Sequence, residues 1–306
     1  MIDLRARRID AAREALGQGD LQATHRLAAS LIHDNPRDAE GHFLLGVTLA
    51  DAGQIAPGIA SLERAVALDP QGEYRTQLPK LYAMVRRHLQ GDFRFICLTD
   101  NTEGIRAEVE CFPIPRLDIR PEAAGVRDMA WRKLTTFSTD LATVYGLKGT
   151  ALFLDLDVVV VDSLEPFFTQ AGEFLIIKDY KRPWRVTGNS SVYRFEIGAH
   201  PGVLDYFRAN EDTMRAKFRN EQAYLSDYMY RQGTLQYWPT AWCPSFKYHC
   251  IPFWPSNYWR EPLLPEGTRV VIFHGECNPP DALAGRRNRR FRYIRPALWV
   301  ADHWHG

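Results

Sequence analysis

The stretch ALFLDLDVVVV, residues 151–161, sets Asp155 and Asp157 inside an otherwise unbroken apolar and β-branched run. Such a run reads as a buried strand, and burying two like charges without compensation is costly. Side chains two apart on a strand share a face, so the pattern predicts that both carboxylates project together toward something cationic. A hard divalent cation answers that demand, since magnesium takes one or two carboxylates and completes its shell with water and phosphate.

Neighbouring segments extend the pattern. FRFICLTD, residues 93–100, reads as another buried strand, and helical spacing returns in DMAWRKLTTFSTDLATVYG, residues 128–146. Alternation of strands with helices predicts an α/β domain on a mostly parallel central sheet, with ligands at the carboxyl ends of its strands. Thr99, Asp100, Asp155 and Asp157 occupy such ends.

The first quarter follows a different rule. Shifted by 34 positions, Pro36 matches Pro70, Asn35 matches Asp69, Gly19 matches Gly53 and Ala12 matches Gly46. In the second copy, Leu45, Gly46 and Leu49 fall on one helix, a turn follows at Asp51 to Gln54, and Gly58, Leu62 and Ala65 fall on the next. Small residues let antiparallel helices approach closely, and Pro70 stops the second helix. The unit resembles a tetratricopeptide repeat, with a degenerate first copy from about residue 5. Two repeats are fewer than the three or so needed for stability alone, so a helix within GEYRTQLPKLYAMVRRHL, residues 72–89, is expected to cap them. A protein or peptide dock and a stabilising cap or oligomer contact are both compatible with so short an array. The expected organisation is α+α/β: repeats over residues 1–72, a shared capping helix over 73–90, and the α/β domain over 91–306.

Charge and cysteine usage narrow the function classes. The 38 basic and 37 acidic residues leave a formal charge of +1, which gives no global attraction to nucleic acid or membrane. No apolar run approaches the length of a spanning helix, and MIDLRARRIDAAREALG lacks the apolar core of a signal peptide. A cytoplasmic location is the expectation. Five cysteines without a CxxC pair argue for buried or idle thiols rather than a disulfide framework or a zinc ribbon.

An apolar strand followed by Asp-x-Asp is written by haloacid dehalogenase-like phosphatases, in which the first aspartate is the nucleophile, and by GT-A glycosyltransferases. The phosphatases also need a paired acidic motif downstream, and none is evident after residue 163. Five segments in order resemble GT-A enzymes, especially the glycogenin-like family eight: CLTDNTEGI (97–105), WRKLTTF (131–137), GNSSVYRF (188–195), NEQAYLSDYM (220–229) and VIFHGECNPP (271–280). The resemblance implies that Asp155, Asp157 and His274 hold Mn2+ or Mg2+ and that Lys133 approaches the donor phosphates. It further implies donor contacts from Thr99, Asp100, Asp179, Asn189 and Gln222, and it favours retention at the anomeric carbon; inversion would instead require a carboxylate base, which Glu221 or Asp227 could supply. The donor would be a nucleotide-diphosphate sugar, with a UDP-sugar favoured.

Other features pull in different directions. A GT-A domain opens with a central strand, whereas LDPQGEYRTQLPK, residues 68–80, is polar and carries Pro79, poor material for such a strand. A domain lacking its first strand makes a non-catalytic repeat scaffold the rival function. DSLEPF, residues 162–167, reads as a helix cap with Asp162 or Ser163 before the helix. The aromatic stretch with Trp238, Trp242, Trp254 and Trp259 suits either a sugar-binding surface or a packed loop region, and the basic run 286–295 reads as a solvated face or an anionic contact.

Overall fold

A computed structural model describes residues 4–68, 74–117, 130–274, 277–285 and 293–306. Asp69 and Pro70 of the repeat, Gly275 and Glu276 of the late motif, and residues 286–292 of the basic run lie outside them. The chain divides into two compact units, Met1–Arg75 and Thr76–Gly306.

The first unit is built of helices α1 (Leu4–Gly17), α2 (Leu21–Asp34), α3 (Ala39–Asp51) and α4 (Ile55–Leu68). α2 and α4 begin 34 residues apart, and the glycines before them, Gly19 and Gly53, both turn the chain with φ near +77° (76° and 77°), a conformation glycine adopts without a Cβ penalty. Asp20 and Asp38 cap the following helices, accepting from the N–H groups of Ala23 and Gly41 at 2.9 Å each. Gly46 and Gly58 mark the closest approach of α3 and α4: a Cβ on Gly46 would stand 2.7 Å from Leu62 Cγ, and one on Gly58 would stand 3.0 Å from the Gly46 carbonyl. Ile9, Ala12, Ala28, Leu31 and Leu44 form the core of this unit.

In the second unit, α5 (Tyr74–His88) places Leu81, Met84 and Val85 in the main core. Among the described residues no strand precedes β1 (Phe95–Leu98), which pairs parallel with β2 (Val109–Phe112). A four-stranded sheet has the order β3-β6-β5-β7, from β3 (Thr150–Leu154), β6 (Gly188–Glu196), β5 (Phe174–Lys178) and β7 (Leu235–Tyr237), and β4 (Val158–Val160) pairs with β8 (Val270–Ile272). The predicted mostly parallel sheet is therefore corrected to a mixed one. β3/β6, β5/β6 and β4/β8 are antiparallel, while β5/β7 is parallel. The reason is visible at residues 179–187: they join β5 to β6 as a loop with no helix, and only an antiparallel pair can be closed by so short a connection.

The larger sheet is apolar on both faces. Phe174, Ile176, Tyr193 and Phe195 enter one core with Trp131, Leu134 and Phe137, while Leu175, Ile177 and Val192 enter the other with the valines of β4 and β8. This two-sided burial explains the continuous apolar runs.

A second correction concerns the aspartates. Asp155 N–H donates to Ser191 O at 2.9 Å, the last ladder bond of β3 with β6, whereas Asp157 O accepts from Phe273 N–H at 3.3 Å beside the β4/β8 pair. The tripeptide is thus a turn in which the chain leaves one sheet and enters another, so the strand rule that would align the two side chains does not apply.

Candidate functional site

The β5/β6 pairing is irregular where the site forms. Its register jumps from Ile177↔Asn189 to Ile176↔Tyr193, so Ser190, Ser191 and Val192 bulge between paired residues. Bulges of this kind re-aim side chains and occur beside active sites. Gly188 is needed here because a Cβ would stand 2.8 Å from Ile176 side-chain atoms, and its N–H is held by Ser226 Oγ at 2.8 Å.

A chain of polar side chains runs through the bulge. Lys133, on the 3-10 helix Arg132–Phe137, places Nζ 2.6 Å from Asp155 Oδ1 and 2.8 Å from Oδ2. The same Nζ reaches Ser190 Oγ at 3.5 Å, and Ser190 Oγ donates to Glu221 Oε1 at 2.8 Å. Ser190 N–H donates to Gln222 Oε1 at 3.3 Å, and Asn189 Oδ1 accepts from Ser191 N–H at 2.9 Å. Glu221 opens the helix Glu221–Arg231 and is only 5% exposed. One ammonium group therefore serves two carboxylates, one directly and one through a hydroxyl. Beneath them the Tyr193 hydroxyl, 2.9 Å from Thr136 Oγ1, is pushed well above the usual tyrosine value by burial, with Asp155 and Glu221 adding to the shift.

A second cluster lies where the loop 179–187 meets the wide turn Phe246–Cys250. The loop is folded by Asp179 N–H to Thr187 O at 3.0 Å, Lys181 N–H to Asp179 Oδ1 at 2.9 Å and Lys178 Nζ to Arg185 O at 2.8 Å. In the turn, Ile251 N–H reaches back five residues to Phe246 O at 3.2 Å, a π-type geometry frequent at functional sites. Ser245 N–H donates to His249 Nδ1 at 3.0 Å, so a neutral His249 carries its proton on Nε2. Ser245 Oγ is 2.8 Å from His274 Nε2. Burial lowers the His274 pKa below its ordinary value, Lys181, Lys247 and His249 lower it further, and Asp179 opposes them. The Tyr180 hydroxyl donates to Cys243 O and its ring meets His249 edge-on at 4.7 Å. Between these groups is a cavity of about 210 Å³ lined by Asp179, Tyr180, Trp238, Thr240, Cys243 and His249 among others.

The structure thus brings together Lys133, Asp155, Glu221 and Gln222, with Asn189 beside them, and separately Asp179 and His274. Asp227 is placed elsewhere: its Oδ2 lies 2.9 Å from Arg231 and 3.9 Å from Lys217, an i,i+4 surface pair on another face of the helix. Thr99 Oγ1 donates to Asn101 O at 2.9 Å within its own turn, and Asp100 is exposed. Asp162 pairs with Arg269 at 3.0 Å; the helix Glu165–Thr169 has Leu164 at its N-cap with no side-chain cap, and Ser163 Oγ, one residue before it, accepts the Glu165 N–H at 3.3 Å.

The expected metal triad is not assembled. Both Asp155 oxygens face Lys133, His274 Nε2 faces Ser245, and among the described residues no group of three or more His, Cys, Asp or Glu side chains is arranged to hold an ion. The residues do not fit the metal implied by the resemblance, and no chemical step is assigned to one.

Ser190, Ser245, Lys181 and Lys247 escaped the sequence reading. Ser190 lies within GNSSVYRF, and the spacing of Ser245 from His249 and His274 carries no recognisable signature.

No family model matches this chain, and no curated protein matches it. Among solved structures, a galactosyltransferase, LgtC, in complex with donor and acceptor sugar analogs is 14% identical, with 75% of this chain and 89% of that chain covered and a TM-score of 0.44. The glycosyltransferase GlyE of Streptococcus pneumoniae TIGR4 is 12% identical, with 76% and 58% covered and a TM-score of 0.47. The chain therefore spans a little over half of the length of GlyE.

Proposed function

We propose that the second unit is a glycosyltransferase that draws a sugar from a nucleotide-diphosphate donor, and that the helical hairpins of the first unit are tetratricopeptide-type repeats presenting a protein or peptide dock. The carrying observation is the Asp155, Lys133, Ser190, Glu221 chain at a bulged strand end. Glycosyl transfer develops positive charge at the anomeric carbon and negative charge on the departing phosphate. With both carboxylates ionised, Asp155, Lys133 and Glu221 sum to one negative charge, which suits the positive centre. Glu221, buried and oriented by Ser190, is the group positioned to accept the acceptor hydroxyl's proton, while Gln222 and Asn189 hydrogen-bond sugar hydroxyls. Asp179 sits in the aromatic cavity, where a carboxylate and ring faces together suit a polar ring with apolar faces.

The test is turnover of a panel of UDP-, GDP- and dTDP-sugars, following release of the nucleoside diphosphate. Wild type should release it from at least one donor and Glu221→Gln should not. A folded protein that turns over none of them would leave the repeats as the functional part. Hydrolysis of p-nitrophenyl phosphate abolished by Asp155→Asn would favour the phosphatase class.

A further inference from the structure

Lys133 is engaged by Asp155, Lys178 by the Arg185 carbonyl and Lys217 faces Asp227. Lys181 and Lys247 differ. Each has its Nζ 5.7 Å from the centroid of the Tyr248 ring, and neither forms an ion pair among the described residues. Lys247 adjoins Tyr248 within the turn Phe246–Cys250 and Lys181 reaches the ring from the loop 179–187, so the two Nζ atoms are separated by no more than twice that distance. The His274 ring lies 5.4 Å from Tyr248, and both ammonium groups disfavour a positive charge on it. The acidic group facing them is Asp179, whose Oδ1 already accepts the Lys181 N–H.

Two ammonium groups beside one ring outnumber the Asp179 carboxylate that faces them, and a dianion placed between them would relieve their repulsion. Their mounting is firm: the hydrogen bonds of the loop fix the Lys181 backbone, and Ser245 ties the base of the turn to both His249 and His274. The loop springs from Lys178↔Gly188, immediately before Asn189 and Ser190. The lysines and the Glu221 network thus flank the same end of the hairpin, one positive and one negative.

We propose that Lys181 and Lys247 clamp the diphosphate of the nucleotide-sugar donor, and that these two ammonium groups meet its charge without a divalent cation. The clamp rests on the transferase reading above and adds the site of its leaving group. His274, hydrogen-bonded to Ser245, lines the clamp as a polar wall, and the cavity holding Asp179 receives the sugar beyond it.

Calorimetric titration of the full chain with inorganic pyrophosphate, which removes any dependence on the nucleotide base, tests the clamp in EDTA and again in excess Mn2+. Binding in EDTA is expected, at least tenfold weaker in the Lys181→Ala/Lys247→Ala double variant, largely kept by the Lys181→Arg/Lys247→Arg pair and unchanged in Lys217→Ala. It should weaken with added salt, as exposed charges are screened. Binding that appears only with Mn2+, equal affinity in the double alanine variant, or no binding under either condition would overturn the clamp. The outcomes separate from those of the transferase reading: donor turnover insensitive to both lysines would sink the clamp and keep the enzyme. Pyrophosphate binding that follows the lysines, with no donor turned over, would do the reverse.

Discussion

The Lys133 ammonium group lies within 2.8 Å of both carboxylate oxygens of Asp155, across a junction at which the chain changes sheets. The pair is the fixed end of the polar chain that reaches Glu221, so its loss should be felt both in stability and in turnover.

Lys133→Met leaves Asp155 without its partner in a setting where the two side chains are 27% and 19% exposed. A fully buried pair broken on one side costs about 3–5 kcal/mol and an exposed one under about 1, so a loss of about 1–3 kcal/mol is expected. In a double-mutant cycle by chemical denaturation, Lys133→Met with Asp155→Asn should recover part of that loss. Additive losses would mean that the two groups do not interact.

Glu221→Gln keeps an acceptor for Ser190 Oγ while removing the base. Melting should change little, and donor turnover should fall about 100-fold or more, within the range for loss of a general base. Ser190→Ala should behave differently, because it strands a buried carboxylate and costs about 1–3 kcal/mol. Equal turnover by wild type and Glu221→Gln would remove Glu221 from the chemistry.

Gly46→Ala gains helix propensity of about 1 kcal/mol, yet the new Cβ would meet Leu62 Cγ at 2.7 Å and Leu62 N at 2.9 Å. Backbone cannot yield as a flexible side-chain tip can, so overpacking of about 1–3 kcal/mol should win. The melting transition of the helical unit should move down. A variant more stable than wild type would show that α3 and α4 can separate at no cost.

His88 and His303, with ring centroids 6.2 Å apart, each have a pKa held below 6.5, chiefly by burial. A base whose folded pKa is lowered favours folding in its neutral form. The contribution is present above the unfolded value of about 6.5 and is lost as pH falls through that value toward the folded one. Denaturation midpoints should therefore drop between pH 7 and pH 5, and His88→Gln/His303→Gln should flatten that slope. An identical pH profile in the double variant would assign the slope to other groups.

Local features were legible in the sequence. Gly19 and Gly53 mark turns because positive φ is a property of one residue, and the 34-residue spacing of α2 and α4 follows from the self-match that pairs Gly19 with Gly53 and Pro36 with Pro70. Strand direction was not legible, since an apolar run such as FLIIK at Phe174–Lys178 looks the same in a parallel or an antiparallel pair. The single strand read through Asp155 and Asp157 failed for a related reason: the composition is continuous where the chain bends. The motifs single out Lys133, Asp155, Glu221 and Gln222, and the structure places these side chains in one hydrogen-bonded cluster. Ser190 and Glu221 meet across 31 positions and Ser245 and His274 across 29, and a serine at such a distance leaves no pattern to detect.

The valines of β4 are buried on both faces, and a uniform apolar strand carries no phase: slipped by one residue, it would present the same surface to the same core. What keeps the strand from sliding is therefore polar and lies outside it. Asp157 O takes the Phe273 N–H at one end, and at the other Val161 N–H reaches Arg269 O at 2.8 Å while Arg269 grips Asp162 at 3.0 Å. The register of β4 on β8 is thus held at the margins of the valine run, by these backbone bonds and by the Asp162–Arg269 pair, and a neutral replacement at Asp162 would weaken that hold while leaving the apolar core untouched.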